Sequence, residues 1–217
     1  MPVEFPAEPV ARAARAGGTT GFAVVATALA IALNALSGSR DVVIGIPTSG
    51  RAHPDTANIP GFFANTLPLR LTVDPRLTTG ATLALTHRAL MEAHQHAGTP
   101  FEEIVRHAAP TRGQGSSPLF QVMLTLNETP SRTLDLPGLE VTRLELPPAD
   151  TQFDFSFHLE QDEDVITGYL TYSTDLYAEE TARLFSERLS AIVSALAGDV
   201  DEVVRDVGVL SVGECVR

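Results

Sequence analysis

Hydrophobic and polar positions divide this chain into apolar runs, alternating stretches and helically spaced stripes. Phe22 to Leu36 is apolar almost throughout, follows Thr19 and Thr20 as possible caps, and stops before Gly38. It predicts a helix buried on most sides and too short to cross a membrane. Asp41 to Pro47 predicts a buried strand closed by its proline. A polar, turn-rich loop runs from Thr48 to Pro60. Beyond it Leu67, Leu69, Leu71 and Val73 alternate with Pro68, Arg70 and Thr72, predicting a half-buried strand near a sheet edge at Pro68.

Thr82 to His96 has helical spacing, with Leu83, Leu90 and Met91 among its apolar positions and Gly98 as the stop. A short helix starts at Pro100, favoured by Glu102 and Glu103, with Phe101, Ile104 and Val105 as its stripe. A flexible stretch, Thr111 to Ser117, leads through Pro118 into a strand from Leu119 to Leu126. Phe153, Phe155, Phe157 and Leu159 then alternate with Asp154, Ser156, His158 and Glu160. With a turn at Gln161–Asp164 and a strand from Val165 to Tyr172, they predict an antiparallel hairpin. Residues 178–197 form an amphipathic helix. Residues 1–18 read as an arm or incoming linker, 19–197 as the domain, and 198–217 as a strap or linker leaving it. There is no internal repeat, and the whole is a mixed α/β or α+β domain.

Composition narrows the function. The 217 residues carry a net charge of -12, and all 15 basic residues are arginines. Such a chain is repelled by phosphate backbones and anionic lipid, which argues against nucleic-acid and membrane partners. Without lysine there is no Schiff-base chemistry and no Walker phosphate loop. Cys215 is the single cysteine, so an internal disulfide and a thiolate metal site are excluded. The first residues, with Glu4 and Glu8, do not read as a secretory signal, and the expected compartment is the cytoplasm.

Candidate chemistry is sparse. His94 and His96 lie two apart on a helix and face different ways, while His87 and His94 share a face without a third ligand. All three read as solvated, and no metal is expected. Asp154, Ser156 and His158 line one side of a strand like a triad, but such neighbours splay in parallel, so a polar stripe is the expectation. Nucleophile-elbow, zinc-protease and dinucleotide motifs are absent, and Gly113–Ser117 lacks the helix of a phosphate cradle. Cys215 reads as a bystander.

Three local patterns say more. Ile44-Gly45-Ile46-Pro47-Thr48-Ser49-Gly50-Arg51, followed by Gly61-Phe62-Phe63-Ala64-Asn65-Thr66-Leu67-Pro68-Leu69-Arg70, resembles the fifth core motif of nonribosomal peptide synthetase condensation domains. His96 to Glu102, with Pro100 and Phe101, resembles the sixth. Arg112 through Ser117-Pro118-Leu119-Phe120-Gln121-Val122 resembles the seventh. Phe153-Asp154 and Asp175-Leu176-Tyr177 fit positions further on. The sixth motif departs from the family at Ala97 and Gly98, and the seventh at Gly115.

The resemblance covers the C-terminal half of such a domain and implies a chloramphenicol acetyltransferase-like lobe. That fold is an α+β two-layer sandwich, a mixed, largely antiparallel sheet with flanking helices. It implies as partners an N-terminal lobe, donor and acceptor carrier proteins bearing phosphopantetheine arms, and an adjacent adenylation domain; the chain needs no cofactor of its own. The family's H-H-x-x-x-D-G motif does not occur, so no catalytic residue is assigned and the chain alone is expected to be inactive. Tunnel or cleft candidates are Gly61, Phe63, Asn65, Ser117, Gln121 and Asp154. Asn65 either orients a thioester carbonyl or ties down its own loop. Gly45, Pro47, Gly50, Arg51, Arg70, His96, Pro100, Phe101, Arg112, Pro118 and Phe120 are read as structural, with Arg51 and Arg70 as ion-pair partners and Asp154 ordering backbone or an arginine. Two alternatives remain: an interaction module recruiting carrier or tailoring proteins, and a self-contained trimeric acyltransferase.

Overall fold

The computed structural model describes residues 1–51, 54–108, 117–128, 138–139, 141 and 151–207. Its strands are β1 (Pro2–Pro6), β2 (Asp41–Thr48), β3 (Asn65–Thr72), β4 (Val122–Asn127), β5 (Phe155–Gln161) and β6 (Val165–Tyr172). Its α-helices are α1 (Ala7–Ala16), α2 (Gly21–Ser37), α3 (Thr79–Gln95), α4 (Phe101–Ala108) and α5 (Glu179–Leu196). The strands form one sheet in the order β1-β6-β5-β4-β2-β3. β4 is parallel to β2 and β5, and the remaining neighbours are antiparallel. This is the mixed sheet with flanking helices that the resemblance implied.

Alternation along the strands makes one face of the sheet apolar. Ile44, Ile46, Leu67, Leu69, Leu124, Phe157 and Leu170 are buried on it. α2 is the centre of the core: every residue from Ala23 to Ala32 is buried, and it packs against α1, α3, α5 and β2. Its alanines let several neighbours approach one helix closely. The Thr20 hydroxyl accepts the Ala23 amide at 3.2 Å, and Gly38 ends the helix with φ 70°. No single helix among the described residues is long and apolar enough to cross a membrane.

Several expectations change. Residues 1–18, expected as an arm, form β1 and α1 instead. Val3 and Phe5 point inward from β1, and Ala7, Val10, Ala13 and Ala14 from α1. The prolines and charges that suggested an arm are the exposed half of this unit, and Pro2 and Pro6 suit an edge strand. α3 starts three residues early because Thr79, Thr82 and Thr86 are buried with their hydroxyls bonded to the carbonyls of Asp199, Thr78 and Thr82. β4 starts at Val122, since Phe120 leaves the strand path to cover Gly45. Residues 198–207 fold back onto the domain, with Val204 and Val207 buried. Arg112, Cys215 and the tail from 208 lie outside the described residues.

Candidate functional site

Parallel strands β2 and β4 pair only at Ile44 with Val122 and Gly45 with Met123. β2 then runs on to Thr48 and β4 to Asn127 without pairing to each other. The chain leaves β2 toward β3 on one side and β4 toward β5 on the other, so the strands part at a topological switch point. The wedge between them is a cavity of about 510 Å³. Ile46 and Pro47 line it from β2, and Thr125 to Glu128 from β4 and its end. Thr20 and Phe22 at the start of α2, and Leu90, Met91 and His94 on α3, close it. Its lining is mainly apolar, with Thr20, His94, Thr125, Asn127 and Glu128 as the polar members.

Two of these polar groups are oriented. His94 Nδ1 lies 2.9 Å from the Leu90 carbonyl, to which it donates, and this bond fixes the ring's orientation. Glu128 stands near the α2 N-terminus: a Cβ on Gly21 would lie 3.7 Å from its Oε1. The positive end of α2 therefore already has a carboxylate beside it.

The motif loop after β2 is built around Arg51. Its guanidinium donates to the carbonyls of Thr56, Ile59 and Gly61 and lies 4.4 Å from the centre of the Phe63 ring. Expected as an ion-pair partner, Arg51 holds the loop through carbonyls and a cation–π contact instead. Arg70 does form the expected pair, with both Asp41 oxygens at 2.8 and 2.7 Å. Gly50 has φ 64°, and a Cβ there would lie 1.7 Å from the Phe63 carbonyl oxygen, so only glycine fits. Gly61 packs beside the Phe63 ring, while Phe62 is 94% exposed. Asn65 uses its whole amide on the α3–α4 connection. Nδ2 donates to Ala97 and Thr99 at 3.1 and 2.8 Å, and Oδ1 accepts the Phe101 amide at 3.1 Å. The sequence left open whether Asn65 orients a ligand or ties a loop; these bonds tie a connection 32 to 36 residues away.

The six cleft candidates do not converge. Gly61, Phe63 and Asn65 lie at the wedge end of the sheet, while Ser117, Gln121 and Asp154 lie at the opposite ends of β4 and β5. Gln121 Nε2 donates to the Ser117 carbonyl at 3.1 Å. Asp154 accepts the Tyr177 hydroxyl at 2.9 Å and, through its carbonyl, the Ser173 amide at 3.0 Å. Its partner is thus a tyrosine and backbone rather than an arginine. Burial first, and then this bond, push the Tyr177 hydroxyl above its ordinary pKa.

Phe101, Phe120 and Phe153 form a row, with centroids 5.6 and 5.2 Å apart, that joins α4 to the lead-ins of β4 and β5. Its foundation is Gly45, where a Cβ would lie 2.1 Å from the Phe120 ring. Further along the same sheet face Ser156 is buried and His158 stacks on Tyr169 at 4.8 Å, with burial lowering the His158 pKa. The expected polar stripe is thus largely covered. His87 is engaged too, its Nδ1 2.7 Å from the Thr19 hydroxyl oxygen.

Among the described residues no group of three metal-ligating side chains occurs. Among the described residues that line the wedge, no nucleophile is hydrogen-bonded to a base. The wedge was not visible in the sequence, because it arises from where a parallel ladder stops. Periodicity does not mark Phe22, Met91, His94 or Glu128 as neighbours.

The comparisons with known proteins agree with the motifs. The family model described as Condensation domain matches residues 6–215. Malpinin synthetase of Mortierella alpina is 35% identical over 197 residues, covering 91% of this chain and 2% of that protein. The teicoplanin X-domain, solved in complex with OxyB, superposes with a TM-score of 0.85 at 28% identity, covering 97% of this chain and 48% of that one. The first condensation domain of the calcium-dependent antibiotic synthetase, bound to a substrate analogue, gives a TM-score of 0.76 at 26% identity, covering 97% and 48%. This chain therefore spans about half the length of these solved relatives and a small part of the synthetase. Motifs, fold and family model together establish that the chain belongs to the condensation-domain family of nonribosomal peptide synthetases.

Proposed function

We propose that this chain is the C-terminal half of a condensation domain, working in the cytoplasm of its host. The wedge walls the channel that receives phosphopantetheine arms. Donor and acceptor carrier proteins deliver the arms, an N-terminal lobe supplies the H-H-x-x-x-D-G histidine, and an adenylation domain adjoins. The acceptor amine attacks the donor thioester carbonyl, the carbon–sulfur bond breaks, and the pantetheine thiol leaves as the amide forms. This half contributes alignment, which can carry much of such a rate. Gly61, Phe63 and Asn65 brace the wedge end; Ser117, Gln121 and Asp154 brace the far end of the same strands.

The observation that carries this reading is the opening between β2 and β4. It is a mainly apolar space with a few polar side chains in its lining, suited to an arm of alternating methylene and amide groups. Calorimetric titration of the purified chain with an aminoacyl-pantetheine thioester tests it. Met91→Trp, which fills the wedge from an exposed position, should weaken binding by about tenfold or more. Unchanged affinity in that variant overturns the channel reading. The isolated chain should release no amide product above the uncatalysed rate.

A second reading, an interaction module that recruits a tailoring enzyme, is favoured by the likeness to an X-domain solved with OxyB. It predicts a folded chain with no affinity for the thioester.

A further inference from the structure

We propose that residues 198–207 are a docked strap that sets the position of α3 and, through it, the wall of the wedge. A helix leaves its first amides without intrahelical acceptors. In α3 those acceptors come from the far end of the chain: Thr79 N–H donates to the Glu202 carbonyl at 2.8 Å, and Gly80 N–H to Val200 at 2.9 Å. The strap returns two bonds to the lead-in of α3, from Val204 N–H to Leu77 and Arg205 N–H to Pro75, at 2.9 and 3.0 Å. The Thr79 hydroxyl donates to Asp199 at 3.0 Å. Val204 and Val207 are each only 2% exposed, so the strap is also held by apolar burial. The fit is close, since a Cβ on Gly80 would stand 3.0 Å from the Val200 carbonyl oxygen.

α3 carries this attachment to the wedge. Thr79 and His94 are separated by about 22 Å at 1.5 Å per residue, and Leu90, Met91 and His94 form the wedge wall at the far end. Between the two, α3 rests on the α1–α2 turn, where Leu83 packs against Gly17 and His87 bonds Thr19. Beyond the wedge, Asn65 holds the connection that follows α3. The helix is thus a rod fixed at its start, middle and end. Release of the strap would strip the first-turn amides of their acceptors and expose two valines. Any load on the chain just beyond Val207 reaches the N-terminal end of α3, opposite the wedge. Its consequence for ligand binding rests on the channel reading above, but the coupling itself does not.

Hydrogen exchange of the purified chain, read by peptide mass spectrometry, tests the coupling. In Val204→Asp, amides 77–82 should exchange about tenfold or more faster and amides 90–101 about threefold or more faster, with β5 and β6 unchanged. Thr79→Val, which removes one side-chain bond, should do the same more weakly, about fivefold at the helix start. Opening confined to 77–82 in both variants overturns the proposal. If Val204→Asp unfolds the whole chain, Thr79→Val decides: faster exchange at 90–101 supports the strap, and unchanged exchange there overturns it. A chain that shows the coupling yet binds no thioester refutes the channel and leaves the strap standing.

Discussion

Replacing Gly45 by alanine should cost far more than one methyl group suggests. The added Cβ would lie 2.1 Å from one Phe120 ring carbon and 2.4 Å from another. Reaching an ordinary contact near 3.5 Å requires a ring movement of about 1.4 Å. Phe120 is 1% exposed and has ring neighbours on both sides at 5.6 and 5.2 Å, so that space does not exist. Gly45 itself is pinned in the ladder between Pro68 and Met123. The expected loss is about 2 kcal/mol, a fall of about 4–8 °C in Tm for a chain of this length. Urea titration followed by far-ultraviolet circular dichroism measures it. Phe120→Leu alone should cost about 1–2 kcal/mol by removing the ring from the row. In the double variant the clash is gone, and the combined loss should fall short of the sum by about 1 kcal/mol or more. A neutral Gly45→Ala, or strictly additive losses, would refute the argument that this glycine exists to seat the ring.

Other outcomes follow from the same geometry. Asn65→Ala leaves two carbonyls and one amide without their partner and should cost about 1–3 kcal/mol, with faster hydrogen exchange at Phe101 than at β5 amides. Tyr177 should titrate above the ordinary tyrosine value by absorbance at 295 nm, and Asp154→Ala should bring it down. Because its folded pKa is raised, the stability it contributes is complete below the unfolded value near 10 and is lost as pH rises through the folded value. His158 is the opposite case. Burial lowers its pKa, so its contribution is complete above the unfolded value near 6.5 and is lost as pH falls through the folded value. His158→Phe should keep the stack on Tyr169 and flatten the fall of Tm between about pH 7 and 5, measured by scanning calorimetry.

Much of the fold could be read from periodicity. The apolar run from Phe22, the alternation in β3 and β5, and the stripe of α5 each reflect one burial direction. The opening residues look like an arm in sequence because β1 is five residues long, with prolines at both ends and every other side chain in solvent. The start of α3 is hidden in the sequence because its buried threonines satisfy their hydroxyls within and beyond the helix, so polar letters stand at core positions. The motifs single out Gly45, Gly50, Arg51 and Asn65, none of which lines the wedge, and the structure supplies what each touches. What no motif encodes is the end of the β2–β4 ladder, which depends on two strands paired 78 residues apart parting company.

The central claim, that a pantetheine arm enters where β2 and β4 part, is tested most directly by mapping an aminoacyl-pantetheine thioester onto the backbone amides of the labelled chain by nuclear magnetic resonance. Saturable shifts are expected at Thr20 to Phe22, Leu90 to His94 and Thr125 to Glu128, with the α5 amides unshifted. Shifts elsewhere with a silent wedge, or none at all, would contradict it.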